Sequence, residues 1–411
     1  MTGLDRPVGI HRVFALGEFR ALFAAQLVSV AGDQLARVAL SILVFDRTRS
    51  AGWAAATYAL TFLPDLLGGP LLSGLADRFP RRSVMVLADL ARLVLVSAMA
   101  VPGMSLPAVA GLLVLVQLLN TPWGAARAAL LPQVLEGELF VAGNAVFSMT
   151  TQSAQVLGFA GGGLTVAFLG PSGALWVDAG TFAVSATVIR WGVRLRAAPN
   201  ASADRKVRWA AELRAGLFLV TRDPKLRALV ALACVSGFYI AGEAIAAPYA
   251  AELGGGAATA GSLLASYAVG NVVGMALLAR IPRQLRTRLM VPLAVLACAT
   301  LIGCAANPGL SLTLTLWFCS GAAGAYNLTA STLFVQAVPD SRRGQAFGLA
   351  VTALRVSQGV GVVLAGLAAE HLSPHLVVAL AGALGVLAAG AAGLAWRRAS
   401  PPVAPGSVGD R

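Results

Sequence analysis

Long apolar stretches alternate with short polar turns from one end of the chain to the other. A helix needs about 20 apolar residues to cross the hydrocarbon of a bilayer. On that ruler the pattern predicts twelve spans, at 19–45, 54–76, 83–103, 106–128, 140–168, 172–193, 226–249, 257–279, 288–306, 308–335, 345–370 and 375–396. Turn formers separate them: Asp46-Arg47-Thr48-Arg49, Pro102-Gly103, Gly170-Pro171-Ser172-Gly173, Gly254-Gly255-Gly256, Asn307-Pro308-Gly309 and Ser373-Pro374. The expected fold class is all-α and integral to a membrane, with twelve transmembrane helices.

Composition agrees with the pattern. Hydrophobic residues fill 57% of 411 positions and charged residues only 12%, about half the charge of a soluble domain. The net charge is +13. Its placement argues against nucleic acid, because the arginines collect in short loops between apolar spans. With the N-terminus inside the cell, 25 of the 31 basic residues fall in inside loops and helix ends, and only Arg47 and Arg49 outside. That bias predicts cytoplasmic positions for both termini of a multi-pass protein. Only Lys206 and Lys225 are lysines, a GC-rich bacterial habit, so the expected location is a bacterial cytoplasmic membrane. The N-terminus lacks a cleavable leader pattern, since charges run to Arg20.

The chain divides into two. The polar stretch 194–225 is expected to be a cytoplasmic linker carrying an amphipathic helix around Arg208, Trp209, Glu212, Arg214, Phe218 and Leu219. It separates a bundle of six helices at 1–193 from a second at 226–396, with a disordered tail at 397–411. The halves echo each other. Ala31-Gly32-Asp33 corresponds to Ala241-Gly242-Glu243, and Phe79-Pro80-Arg81 to Ile281-Pro282-Arg283. Gln133, Gln155 and Gly158 correspond at a constant offset to Gln336, Gln358 and Gly361. Two pseudo-symmetric six-helix bundles would place a binding site between them near the midplane.

The turn after the second span is the most distinctive stretch: Gly74, Asp77, Arg78, Arg81 and Arg82, with Pro80 stopping the helix. Here the chain resembles the major facilitator superfamily, whose signature in this loop is Gly-x-x-x-Asp-Arg followed by further basic residues. Leu131, Pro132, Glu136, Glu138, Ala142, Asn144 and Ala145 resemble the branch containing the enterobactin exporter and macrolide efflux proteins. That resemblance implies the major facilitator fold and drug:proton antiport. One departure stands out: Phe159 replaces the proline of the family's Gly-Pro-x-x-Gly-Gly antiporter signature, leaving Gly158 and Gly161 to Gly163. In the loop, Asp77 is placed to meet the N-terminus of span 11, where the helix dipole favours an anion. Such a contact would join the halves only when the cytoplasmic side is closed. The plainer reading is a positively charged anchor.

Ionisable residues inside a bilayer each need a partner or a task. Gln26, Ser29, Asp33, Arg37 and Ser41 form one polar stripe along span 1. Burial favours a neutral carboxyl and a nearby cation favours the ion. Arg37, one turn from Asp33, is placed to be that cation until substrate or a proton arrives; alternatively the two form a permanent pair. Glu243 holds the matching place in span 7 with no basic residue within four positions. It is a second proton-carrying candidate, or a solvated rim residue near the outer end. Asp65 follows Pro64 mid-span and either faces the cavity or pairs with Arg92. Asp89 and Arg92 lie three apart, suited to a structural pair. Arg127 reads as a snorkelling interface arginine or an anion contact. Arg355, with Gln358 one turn along, is more deeply placed. Asp178, Tyr239, Tyr267, Tyr326 and Asn327 are unranked cavity candidates.

No cofactor, metal site or enzyme constellation is expected. Cys234, Cys298, Cys304 and Cys319 fall inside apolar segments without ligand spacing, and only His11, His371 and His375 are available. No phosphate-binding loop is present to use ATP. The expected function is secondary active transport by a monomer in lipid: proton-coupled export of a hydrophobic or amphipathic small molecule such as a drug, siderophore or natural product. The alternatives are a solute uptake symporter of the same fold, or a non-transporting receptor or scaffold.

Overall fold

The computed structural model describes residues 10–62, 78–136, 138–197, 217–338 and 343–399. Among them eight helices are long and apolar enough to cross a membrane, in keeping with the twelve crossings expected. We label the helices that correspond to the expected spans α1 to α12. The first half contributes α1 (Gly17–Thr48), α2 (Ala51–Ala59), α3 (Arg81–Met99) and α4 (Leu106–Val134). The helical run Glu138–Gly192 supplies both α5 (138–169) and α6 (171–192), which meet at Gly170. The second half contributes α7 (Pro224–Cys234 and the short helices to Glu252), α8 (Ala257–Arg280), α9 (Arg283–Ile302), α10 (Leu310–Gly324 with Tyr326–Ala337), α11 (Arg343–Ala368) and α12 (Pro374–Ala399).

Several boundaries moved for local reasons. The turn expected at 46–49 tightens to two residues, Arg49, whose φ of 53° caps α1, and Ser50, the N-cap of α2. Gly170 needs no loop: at φ 71° and ψ 172° it folds two helices back on each other, a conformation an L side chain resists. Span 7, expected as one helix, is interrupted at Val235, Ile240 and Ile245. Three-residue hydrogen bonds such as Glu243 N–H to Ile240 O (2.9 Å) take over there. Tryptophans split into exposed ones (Trp53, Trp176, Trp191) and buried ones (Trp123, Trp317).

The repeat read from sequence has a structural counterpart. Pro80 and Pro282 precede α3 and α9 with similar dihedrals (φ −53°, ψ 122° and φ −56°, ψ 143°). Arg81 then donates to the Ala129 carbonyl on α4 (2.8 Å), while Arg283 donates to Gln336 on α10. Gly158 presses α5 against α1, where a Cβ would lie 2.5 Å from the Ala31 carbonyl. Its counterpart Gly361 presses α11 against α7, where a Cβ would overlap the Gly237 carbonyl. Small residues do this in lipid because close backbone approach replaces the missing hydrophobic drive.

Buried side chains form two clusters. Val13, Phe19, Leu22, Met85, Leu130 and Phe147 belong to a core made of first-half residues alone, at the arginine-rich end. The larger core mixes both halves, with Tyr58, Phe62, Val166, Ala244, Leu263 and Val362 among its members. Large apolar side chains such as Val94, Phe168 and Leu387 are exposed on the outer surface. In a helical membrane protein that surface faces lipid tails.

Candidate functional site

The two halves meet across a polar seam set in the mixed core. Tyr58 of α2 donates its phenolic hydrogen to Glu243 Oε2 at 2.6 Å, a bond between the halves with both residues buried. Arg37 of α1 stands with its guanidinium 5.9 Å from the Tyr58 ring centroid and within electrostatic reach of Glu243. Glu243 is therefore neither unpaired nor a solvated rim residue: it is 7% exposed and bonded across the seam. The broken α7 explains its direction, because the short turn Ala241–Ala244 re-aims a side chain that a straight helix would carry elsewhere.

Other groups continue the seam. Gln152 of α5 donates to Asn271 of α8 at 2.8 Å. Asn327 donates to the Tyr239 hydroxyl at 2.6 Å, and Tyr239 packs near Tyr267 with centroids 6.1 Å apart. Arg355 of α11 lies 5.9 Å from the Phe62 ring and donates to Gln358 at 3.4 Å. Three of the sequence candidates, Arg37, Glu243 and Arg355, thus converge between the halves.

Asp33 does not pair with Arg37: no ion pair joins them within 4 Å among the described residues. Its charged surroundings are Arg92, Arg37 and Asp89. Asp89 and Arg92 form a pair at 2.5 Å with 0% and 1% exposure. The Asp89 carboxylate also accepts from Trp123 (3.1 Å) and Ser185 (2.7 Å), and Arg92 covers the Phe182 ring at 4.5 Å. That cluster ties α3, α4 and α6 together inside the first half. Arg127 covers Phe147 at 4.8 Å, also within the first half.

The chain ends of the bundle differ in kind. At the arginine-rich end Arg81 and Arg82 bond carbonyls of Ala129 and Val193, and Glu18 pairs with Arg196 at 2.7 Å. Arg78 is exposed there, while Gly74, Asp77 and Asp65 lie outside the described residues. At the opposite end the halves are joined directly. Ser50 and the Gly52 amide (2.6 Å) both donate to Glu370 beyond α11, at the N-terminus of α2. Burial has little hold on this carboxyl; the Ser50 and Gly52 bonds keep it below the usual glutamate range. Gly163 and Gly261 bring α5 and α8 together there, with a Cβ on either meeting the other's backbone. A cavity of about 270 Å³ at this end has walls from both halves, including Phe45, Arg49, Val166 and Ala251.

A family model described as the Major Facilitator Superfamily matches residues 22–246 and again 228–410, one copy per half. The chain belongs to the Major Facilitator Superfamily. It is a transporter and not an enzyme. Among relatives, it is 29% identical over 374 residues to the multidrug efflux pump Tap of Mycolicibacterium fortuitum, covering 86% of this chain and 89% of that pump. Its fold is similar to that of a mutant of the nucleoside transporter NupG, with a TM-score of 0.75 at 12% identity over 92% of this chain and 100% of that one. A bacterial homologue of the iron transporter ferroportin, in an inward-facing state, gives 0.70 at 14% identity over 96% of this chain and 100% of the other.

Within this superfamily member, sequence reasoning passed over Tyr58 and Glu370. A tyrosine in a predicted span was a usable signal, since a buried hydroxyl needs a partner. Glu370 carried none, because its partners Ser50 and Gly52 are more than three hundred positions away.

Proposed function

We propose that this transporter exports a hydrophobic or amphipathic small molecule in exchange for protons, by alternating access between its two halves. The observation that carries the reading is the buried Glu243 carboxyl, held across the seam by Tyr58 and faced by Arg37. A charged carboxylate accepts a strong bond from Tyr58; once protonated it accepts a weaker one. Proton uptake at Glu243 therefore loosens the join between the halves, and proton loss restores it. Asp33 and Arg37 supply the polar wall on the first half, and Arg355 a cation on the second. Similarity to Tap supports export over uptake.

The positive-inside bias sets the arginine-rich end in the cytoplasm of a bacterial cell, with both termini there. On that orientation the joined end faces outward. Gly74, Asp77, Arg78, Arg81 and Arg82 then serve as the cytoplasmic gate that closes when the outer join parts. Asp89, Arg92 and Arg127 brace the first bundle. We assign the bundles to 1–193 and 226–396, with 194–225 as linker and 397–411 as tail, in a monomer surrounded by lipid.

The test is proton-driven uptake of a panel of amphipathic dyes into everted membrane vesicles, with and without an uncoupler. Wild type accumulates at least one dye only while the gradient stands. Glu243→Gln loses gradient-driven accumulation yet still exchanges dye across the membrane. Accumulation by Glu243→Gln equal to wild type would sink the reading.

A further inference from the structure

Asp178 of α6 is the most deeply buried acid that the proposed cycle leaves unused, at 1% exposure. Its carboxyl rests against α1 in the space that Gly32 vacates; a Cβ on Gly32 would overlap both Asp178 Oδ1 and Thr181 Oγ1. Gly32 is the neighbour of Asp33, and Asp33 is the leading charged group acting on Asp178. The charges facing the pair from the packed elements are Arg37 on α1 and Asp89 and Arg92 on α3. Arg92 is already committed to Asp89 at 2.5 Å. No cation lies within 4 Å of Asp178 among the described residues.

The donors around Asp178 are few. Thr181 has one hydroxyl hydrogen, and it is donated to the Asp178 main-chain carbonyl at 2.7 Å. The same hydroxyl oxygen lies 3.3 Å from Asp178 Oδ1. That one hydrogen is shared at best between the carbonyl and Oδ1, and no other side chain donates to Oδ1 among the described residues, so the sealed carboxyl fits its surroundings as the neutral acid. A carboxylate here would have a charge in an apolar wall with no donor of its own, the arrangement that membranes penalise most.

We propose that Asp178 is a second proton-binding site, a buried carboxylic acid that exchanges its proton with Asp33. In that step the O–H bond on Asp178 breaks, an O–H bond forms on Asp33, and the negative charge moves the other way. Asp33 is partly exposed where Asp178 is sealed, so Asp33 is the way in and out. The site lies within the first half, whereas the Glu243 bond spans both, and its protonation is measurable without any transported substrate.

The experiment is infrared difference spectroscopy on the purified full chain in lipid nanodiscs at neutral pH, with folding checked by thermal melting. The expected result is a protonated-carboxyl C=O band that is lost in Asp178→Asn and kept in Glu243→Gln. Thr181→Val shifts the band, because it removes the hydroxyl that contacts Asp178 Oδ1. In heavy water the band moves as the proton exchanges, and Asp33→Asn slows that exchange by about tenfold or more, the cost of losing a polar relay in an apolar wall. A band that survives Asp178→Asn, or is untouched by Thr181→Val, overturns the proton on Asp178. Exchange at the wild-type rate in Asp33→Asn overturns the relay. Loss of the band only in Glu243→Gln would put the proton at the seam, rejecting this site while leaving the export reading intact.

Discussion

Tyr58→Phe removes a single oxygen from the seam and leaves the ring in place, so it isolates the bond to Glu243. That bond is 2.6 Å long and fully buried, and hydrogen bonds to charged groups contribute about 1.5–3 kcal/mol. The join exists only while the two halves are closed at the Ser50–Glu370 end. Losing about 2 kcal/mol from that state alone shifts the closed-to-open equilibrium roughly 30-fold. Spin labels at Trp53 and Leu372 read the shift, since both are exposed (63% and 42%) and sit on opposite halves at that end. The four native cysteines, all free, are replaced beforehand. In lipid at neutral pH, Tyr58→Phe moves the distance distribution toward longer separations, and Glu243→Ala moves it at least as far. A distribution for Tyr58→Phe that superimposes on wild type refutes the claim that this bond holds the halves together.

The same label pair tests the acid dependence of the outer join. Because Ser50 and Gly52 hold the Glu370 carboxyl below its ordinary range, its contribution is complete above the usual glutamate value of about 4.3. It is lost as pH falls through the lowered value, so the labels separate only in strong acid, and Glu370→Ala separates them at neutral pH as well. Cutting the buried pair by Arg92→Leu leaves Asp89 charged and uncompensated at 0% exposure, which costs about 3–5 kcal/mol; thermal melting in detergent drops sharply, and adding Asp89→Leu recovers part of the loss. Gly361→Ala forces a Cβ into the Gly237 carbonyl and lowers the melting temperature or folded yield, whereas Gly111→Ala, with open space around it, leaves both unchanged.

Hydrophobic periodicity carried the all-α membrane class, the turn positions and the two-fold repeat, because in lipid each crossing must satisfy its own backbone within one helix. A local rule of that kind is written locally. Pro80 and Pro282, or Gly158 and Gly361, reveal the duplication for the same reason: each acts on its nearest helix. The candidate site was legible only in pieces. Asp33, Arg37, Glu243 and Arg355 stood out as charges in apolar spans, yet their partners depended on how helices far apart in sequence face one another. Periodicity placed Arg37 one turn from Asp33, but packing turned it toward Tyr58 and Glu243; of the breaks in α7, only the one at Ile245 has a proline close by, Pro248 in the first turn of the next helical piece, while Val235 and Ile240 have none. Asp178 was one unranked acid until the missing side chain of Gly32 set it beside Asp33. The sequence by itself decided what each helix is; only tertiary packing decided which buried groups meet, since a polar contact across a membrane bundle is chosen by helix rotation and close approach, and neither is encoded within a single span.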